Sequence, residues 1–86
     1  AEVVPVMIDV EAAADAAGRE QIAGLLAQEL NCRRIGQGCT LARLGQVIMN
    51  SGFAENYRFV LPAADLTPGG SQILRAGEIV VREMVG

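Results

Sequence analysis

An alternation of apolar and other residues near the start of the chain predicts a β-strand. From Val3 to Val10 every second residue is a branched apolar one: Val4, Val6, Ile8 and Val10. A period of two is that of a strand with one buried face. Pro5 lies within this run and cannot donate a ladder hydrogen bond. We therefore expect either the beginning of the strand or a sheet edge on the side of Pro5.

The next apolar residues recur with helical spacing. Between Gly18 and Asn31 they form one stripe of a helix that faces a core: Ile22, Leu25, Leu26 and Leu30. The preceding run EAAADAAG either starts this helix early or connects it loosely to the strand. The segment from Cys32 to Cys39 contains two glycines and reads as a loop, with Arg33 and Arg34 solvated.

A second helix is predicted to begin after Thr40, whose hydroxyl group suits an N-cap. Its apolar face comprises Leu41, Leu44, Val47 and Ile48. The helix is expected to stop in the segment Asn50–Gly52, because Gly52 suits the left-handed conformation that commonly follows a helix.

Two further strands are predicted, at about Asn56–Leu61 and at Glu78–Met84. Pro62 ends the former strand, and the segment DLTPGG that follows has turn composition. We expect the two strands to pair antiparallel through this connection. The chain's three aromatic residues lie close together in sequence, so the best-packed part of the core is expected there: Phe53, Tyr57 and Phe59.

The element order strand, helix, helix, strand, strand predicts a single α+β domain in the 86 residues. Each helix and each sheet has one apolar face to cover. The economical packing places two helices on one face of a small, mainly antiparallel three-stranded sheet.

Composition narrows the possible functions. All seven cationic residues are Arg, they are outnumbered by ten carboxylates, and the formal net charge is −3. Without His the chain lacks the commonest general base and transition-metal ligand, and without Lys it can form neither a Schiff base nor a P-loop. The carboxylates are spread singly along the sequence. We therefore predict no enzymatic activity, no cofactor, no bound metal and no small-molecule substrate.

The same composition argues against nucleic acid and membranes as partners. Duplex binding needs several converging cations, and the longest cationic run is Arg33–Arg34. No window reaches the roughly 18 apolar residues of a membrane span. The alternative is a small DNA-binding regulator that uses the helix pair. Its connection is longer than the usual turn of about 3–4 residues, and its second helix carries one cation, Arg43.

Two cysteines, Cys32 and Cys39, allow one bridge, which does not make a disulfide scaffold. We expect reduced thiols in a cytoplasmic protein. Cys39 directly precedes the second helix, whose N-terminus would stabilise a thiolate. A cysteine-dependent redox protein is therefore a third, weaker alternative, since no His is present to act as a base.

Three segments carry a resemblance to a known family: TLARLGQVIMNSGF, FVLPAADL and SQILRAGEIVVREM. A short helix is followed by a strand that ends in a proline and small residues. A polar turn and a short apolar step before a glycine then precede the final strand. In this order the chain, from about Val3 to Met84, resembles the C-terminal domain of baseplate J-like proteins. These are wedge proteins of contractile phage tails and related injection machines.

The resemblance implies a structural role without catalytic residues. Such proteins contact other baseplate wedge proteins and copies of themselves. The implied location is a virion tail, or a prophage-derived tail particle, that is assembled in the bacterial cytoplasm. Family members are usually several times longer, so the resemblance also implies that these residues are a piece of a longer baseplate protein.

The candidate subunit contact is the connection from Leu61 to Gly70, with Phe53 or Tyr57 nearby. It has little charge and is stiffened by two prolines, so pressing it against a neighbour costs little desolvation or entropy. An ordinary intramolecular connection that covers the end of the sheet is an equal alternative. The candidate interface residues are Phe53, Tyr57, Leu61, Pro62, Leu66 and Pro68.

Overall fold

A computed structural model of the protein describes residues 2–62 and 64–84. The predicted α+β class and order of elements are confirmed. The elements are β1 (Glu2–Ala12), α1 (Ala16–Asn31), α2 (Leu41–Asn50), β2 (Tyr57–Leu61) and β3 (Gln72–Glu83).

The three strands form a mixed sheet in the order β2-β1-β3. β1 pairs antiparallel with β2 and parallel with β3. The expected pairing of the last two strands with each other is therefore wrong. β3 pairs with β1 along its length, from Gln72 opposite Glu2 to Glu83 opposite Ala12. The five residues of β2 could not have matched a ladder of that length.

β3 begins at Gln72, earlier than the predicted Glu78. Its first part escaped prediction because the apolar alternation changes phase in the middle of the strand. Leu74 and Ala76 contact the core before the change, and Ile79 and Val81 contact it afterwards. The ladder with β1 has a register shift at this point. A Cβ atom on Gly77 would lie 2.9 Å from the carbonyl oxygen of Val6, so the close approach of the two strands requires glycine here.

The core lies between one face of the sheet and the two helices. It consists mainly of aliphatic side chains: Val6, Ile8, Val10 and Ala12 of β1, Ile22, Leu26 and Leu30 of α1, Leu44 and Ile48 of α2, and Leu74 of β3. The expectation that the aromatic residues mark the best-packed region is wrong. Phe53 is exposed, and Tyr57 and Phe59 are only partly buried at the border of this cluster.

The helix boundaries follow from side-chain caps. The Asp15 carboxylate accepts a hydrogen bond from the Gly18 N–H at 2.7 Å, so α1 begins within the alanine run. The predicted N-cap of α2 is confirmed, because the Thr40 hydroxyl accepts from the Arg43 N–H at 3.0 Å. Gly52, with φ 76°, takes the left-handed conformation expected after α2.

β2 covers only half of β1. Its register runs from Leu61 opposite Asp9 to Tyr57 opposite Ala12. Among the described residues, no strand pairs with the first half of β1 on that side. The expectation of a sheet edge beside Pro5 is thus confirmed for this half of the strand.

Candidate interaction surface

The six candidate interface residues do not form one patch. Tyr57 lies opposite Ala12, whereas Leu66 and Pro68 line a cleft that reaches Pro5. At about 3.3 Å per residue, seven residues of β1 separate these two places by about 23 Å. The Phe53 side chain lies beside Gly18, near the start of α1. The structure therefore distributes these residues along the whole domain.

The Tyr57 side chain packs within its own domain. Its ring lies against the backbone of α2 at Gly45. It also makes an edge-to-face contact with Phe59, with ring centroids 5.5 Å apart. The contact with Gly45 holds the end of β2 against α2.

The middle of the connection between β2 and β3 is also packed inward. Leu66 and Cys39 exchange two backbone hydrogen bonds, of 2.8 and 3.0 Å, and Leu66 packs on the core. The carboxylate of Asp65 accepts a hydrogen bond from the Leu41 N–H at 2.9 Å and so helps to cap α2. Pro62 and Pro68 are partly buried. For this segment the intramolecular alternative fits the observed contacts.

Phe53 and Leu61 are the two candidate residues with largely exposed side chains, each at 48%. An irregularity in the ladder between β1 and β2 explains why the Leu61 side chain is exposed. Phe59 is opposite Val10 and contacts the core, but Leu61 is opposite Asp9, on the other face of the sheet. The predicted common face of Tyr57, Phe59 and Leu61 is therefore interrupted at its last residue.

Exposed apolar residues collect on the sheet face opposite the helices, which we call the outer face. Met7 lies on the central strand and is nevertheless 50% exposed, so no described residue covers the middle of this face. The outer face and its border carry Val3, Met7, Val60, Leu61 and Val80. Sequence reasoning missed this surface. The available signal was that Val3, Pro5 and Met7, between the buried positions of β1, carry no charge.

Two ion pairs join neighbouring strands at one end of the outer face. Asp9 receives two hydrogen bonds from the guanidinium of Arg82, of 2.9 and 2.5 Å. Glu11 forms an ion pair with Arg58 at 2.7 Å. Exposed pairs of this kind add little to folding stability. The opposite charges cancel within each pair, although the chain as a whole has a formal charge of −3.

A groove between the two helices contains the most concentrated charges. Glu29 is bound by Arg33 at 3.1 Å and by Arg43 at 2.5 Å. The hydrogen bond from Arg43, opposed by burial, holds the pKa of Glu29 below its ordinary value of 4.5. Arg33 is largely covered rather than solvated as expected. The DNA-binding alternative depends on Arg43, and the structure places its guanidinium on Glu29.

The two cysteines differ in their surroundings, and both thiols are free. Cys32 is exposed beside the groove, whereas Cys39 is buried. Burial raises the pKa of the Cys39 thiol, more strongly than the nearby charge of Arg33 lowers it. Desolvation thus outweighs the favourable position of Cys39 before α2, which weakens the alternative of a cysteine-dependent redox protein.

Within residues 2–62 and 64–84, no three His, Cys, Asp or Glu side chains come together as a metal site. Neither α1 nor α2 combines the length and the apolar character needed to cross a membrane. Comparison of the chain with family models, with curated proteins and with solved structures finds no match.

Proposed function

We propose that this domain is a structural assembly module of a contractile-tail baseplate that acts through protein–protein contacts. The family resemblance of the three segments from TLARLGQVIMNSGF to SQILRAGEIVVREM supplies the class of particle. The proposed location is therefore the tail of a virion or of a prophage-derived particle, assembled in the bacterial cytoplasm. The proposed partners are other wedge proteins and copies of the same chain.

The observation that carries the proposal is the outer face. Val3, Met7 and Val80 expose apolar surface on one side of the sheet, while the helices cover the other side. Contiguous exposed apolar surface is typical of protein interaction sites. The two ion pairs beside it, Asp9 with Arg82 and Glu11 with Arg58, are each neutral and so add little electrostatic repulsion toward a neighbour. Interfaces with an apolar centre and a polar rim have this composition.

Sedimentation of tail particles tests this function. The protein is produced together with the tail sheath, tube and baseplate proteins of its own source, and the particles are pelleted through a density gradient. We expect the protein in the particle fraction. Well-formed particles that leave the protein wholly in the supernatant would contradict the proposal.

A matched pair of variants then tests the surface. Met7→Gln removes an exposed apolar side chain from the outer face, and Met49→Gln makes the same change at an exposed position of α2. We expect Met7→Gln to reduce the amount of protein in the particle fraction, and Met49→Gln to leave it unchanged. Circular dichroism verifies that both variants fold. Equal incorporation of the two variants would assign the contact to another surface.

A further inference from the structure

The backbone hydrogen bonds at the two ends of β1 define the direction in which each residue's peptide groups point. The Glu2 N–H donates to the Ser71 carbonyl, and the Ala12 carbonyl accepts from the Met84 N–H. The N–H and C=O groups of the even-numbered residues of β1 therefore point toward β3. Ala13 instead bonds to Asn56 and Glu55, at the base of β2. The N–H and C=O groups of the odd-numbered residues point toward the β2 side, because the peptide groups of successive residues in a strand point to alternate sides.

In the first half of β1, the odd-numbered residues are Val3, Pro5 and Met7. Their peptide groups point into the row that β2 occupies further along the strand. β2 pairs only from Asp9 onward, and no described residue bonds to the backbone of these three. They present three carbonyl acceptors and two N–H donors, since Pro5 has no N–H.

After Leu61 the chain leaves this row and turns toward the helices. Asp65 contacts the start of α2, and Leu66 pairs with Cys39. Between this turn and the unpaired half of β1 lies a cleft of about 240 Å³. Its lining contains no charged side chain: Val4, Pro5, Val6, Met7, Leu66, Thr67, Pro68, Gln72 and Leu74.

We propose that this unpaired edge of β1, from Val3 to Met7, binds an extended, uncharged and mainly apolar peptide segment of a partner protein. The segment adds to the sheet as a strand in line with β2. Exposed strand edges bind partners in this way, through main-chain hydrogen bonds together with pockets for alternate side chains. The inference rests on the proposed function, and it identifies which part of the domain receives the partner.

The donor and acceptor pattern favours a different chain over a second copy. In a two-fold antiparallel pairing of two β1 edges, the register that pairs Val3 with Met7 also places Pro5 opposite Pro5. The carbonyl oxygen of each Pro5 then faces the nitrogen of the other Pro5, which has no N–H to donate. If the register is shifted by two residues in either direction, only one of the two N–H donors of each copy meets a carbonyl oxygen of the other copy's unpaired edge. A segment that offers an N–H opposite Pro5 satisfies all five groups, and unpaired polar groups are costly to bury.

Titration with a synthetic peptide tests the site. The probe is a heptapeptide of alternating Thr and Val with an acetylated and an amidated end. Its matched control is the depsipeptide in which esters replace the amides, which keeps the side chains but loses every N–H. We expect the amide peptide to slow hydrogen exchange at the Val3 and Met7 amides, and to bind at least about tenfold more tightly than the depsipeptide.

Variants of the protein give an independent readout. Val3→Pro removes one of the two donors near the start of the strand and is expected to weaken peptide binding about fivefold. Val3→Thr keeps the donor and is expected to leave binding within about twofold, which is less than the loss of one hydrogen bond. Equal effects of the two variants would contradict the proposal.

Three further results would overturn it. These are equal binding of the two peptides, protection confined to β3, and no protection of Val3 or Met7 at about 1 mM peptide, the weak limit of specific binding. Dimers of the free protein that disappear in Val3→Pro would replace the peptide by a second copy. None of these results depends on tail particles, so the proposed function could survive the loss of this site.

Discussion

The ring of Tyr57 lies directly over Gly45, where α2 passes the end of β2. A Cβ atom on Gly45 would lie 2.5 Å from Cζ of Tyr57, which is too short a distance for two carbon atoms that are not bonded to each other. The glycine is buried, and it gives the aromatic ring its place against the helix. Helix and strand can therefore approach closely only because this position has no side chain.

Substitution of this glycine should destabilise the protein despite the higher helix propensity of alanine. Gly45→Ala gains about 1 kcal/mol from propensity but displaces Tyr57, and overpacking costs about 1–3 kcal/mol. We expect a lower melting temperature. Gly24→Ala is the control, because a Cβ at Gly24 meets no atom within 4 Å. It should stabilise by about 1 kcal/mol. Stabilisation by both changes would contradict the contact with Tyr57.

Leu66 and Leu61 should respond differently to the same substitution. Leu66 is partly buried and packs on the core, and Leu61 is exposed on the outer face. We expect Leu66→Ser to lower the free energy of unfolding by about 1–2 kcal/mol, because part of a leucine side chain loses its apolar contacts. Leu61→Ser should change it by less than about 0.5 kcal/mol. Urea unfolding measures both, and equal losses would show that the connection is not anchored at Leu66.

Acid should remove a stabilising contribution from Glu29. Its pKa is lowered in the folded state, chiefly by the hydrogen bond from Arg43, below an ordinary value of 4.5. The contribution is therefore complete above that value and is lost as the pH falls through the folded pKa. Glu29→Gln should flatten the decline of stability below about pH 4.5 in urea unfolding.

Arg43→Gln tests the cause of this shift. It removes the largest influence on the pKa of Glu29 and leaves Arg33 in place. We expect most of the flattening that Glu29→Gln produces, measured in the same urea series. An acid decline like that of the wild type would assign the lowered pKa to Arg33 instead.

Alkylation should distinguish the two thiols. Cys32 is exposed, whereas Cys39 is buried and its pKa is raised, so Cys39 holds less of the reactive thiolate at neutral pH. With iodoacetamide at pH 7.5 we expect rapid loss of one thiol and slow loss of the other. Cys32→Ser should abolish the rapid phase. A rapid phase that persists in this variant would show that Cys39 is accessible, and would revive its activation by α2.

Local patterns were sufficient for the helices and for the buried face of β1. The alternation from Val4 to Val10 predicted which side chains enter the core, and Thr40 and Gly52 marked the ends of α2 correctly. These features depend on residues close together in sequence. Period and capping chemistry are therefore enough to predict them.

Features that depend on distant pairing were not predictable in this way. The carboxylate of Asp65 caps a helix that begins 24 residues earlier, and the sequence shows only a turn there. Gly77 changes the phase of β3, so an unbroken alternation could not be recognised. The exposure of Leu61 results from its register against Asp9. Strand order itself depends on how well long ladders match, and no local window contains that information.

The parallel ladder between β1 and β3 joins the first and the last strand of the chain, with Glu2 beside Gln72. During translation, β1 and both helices leave the ribosome well before the strand that completes the sheet. Pairings between residues so far apart form slowly, because a large loop has to close first. Until about residue 83 has emerged, β1 lacks its longest neighbour. Nascent chains of this domain should therefore depend on chaperones that bind unpaired apolar strands.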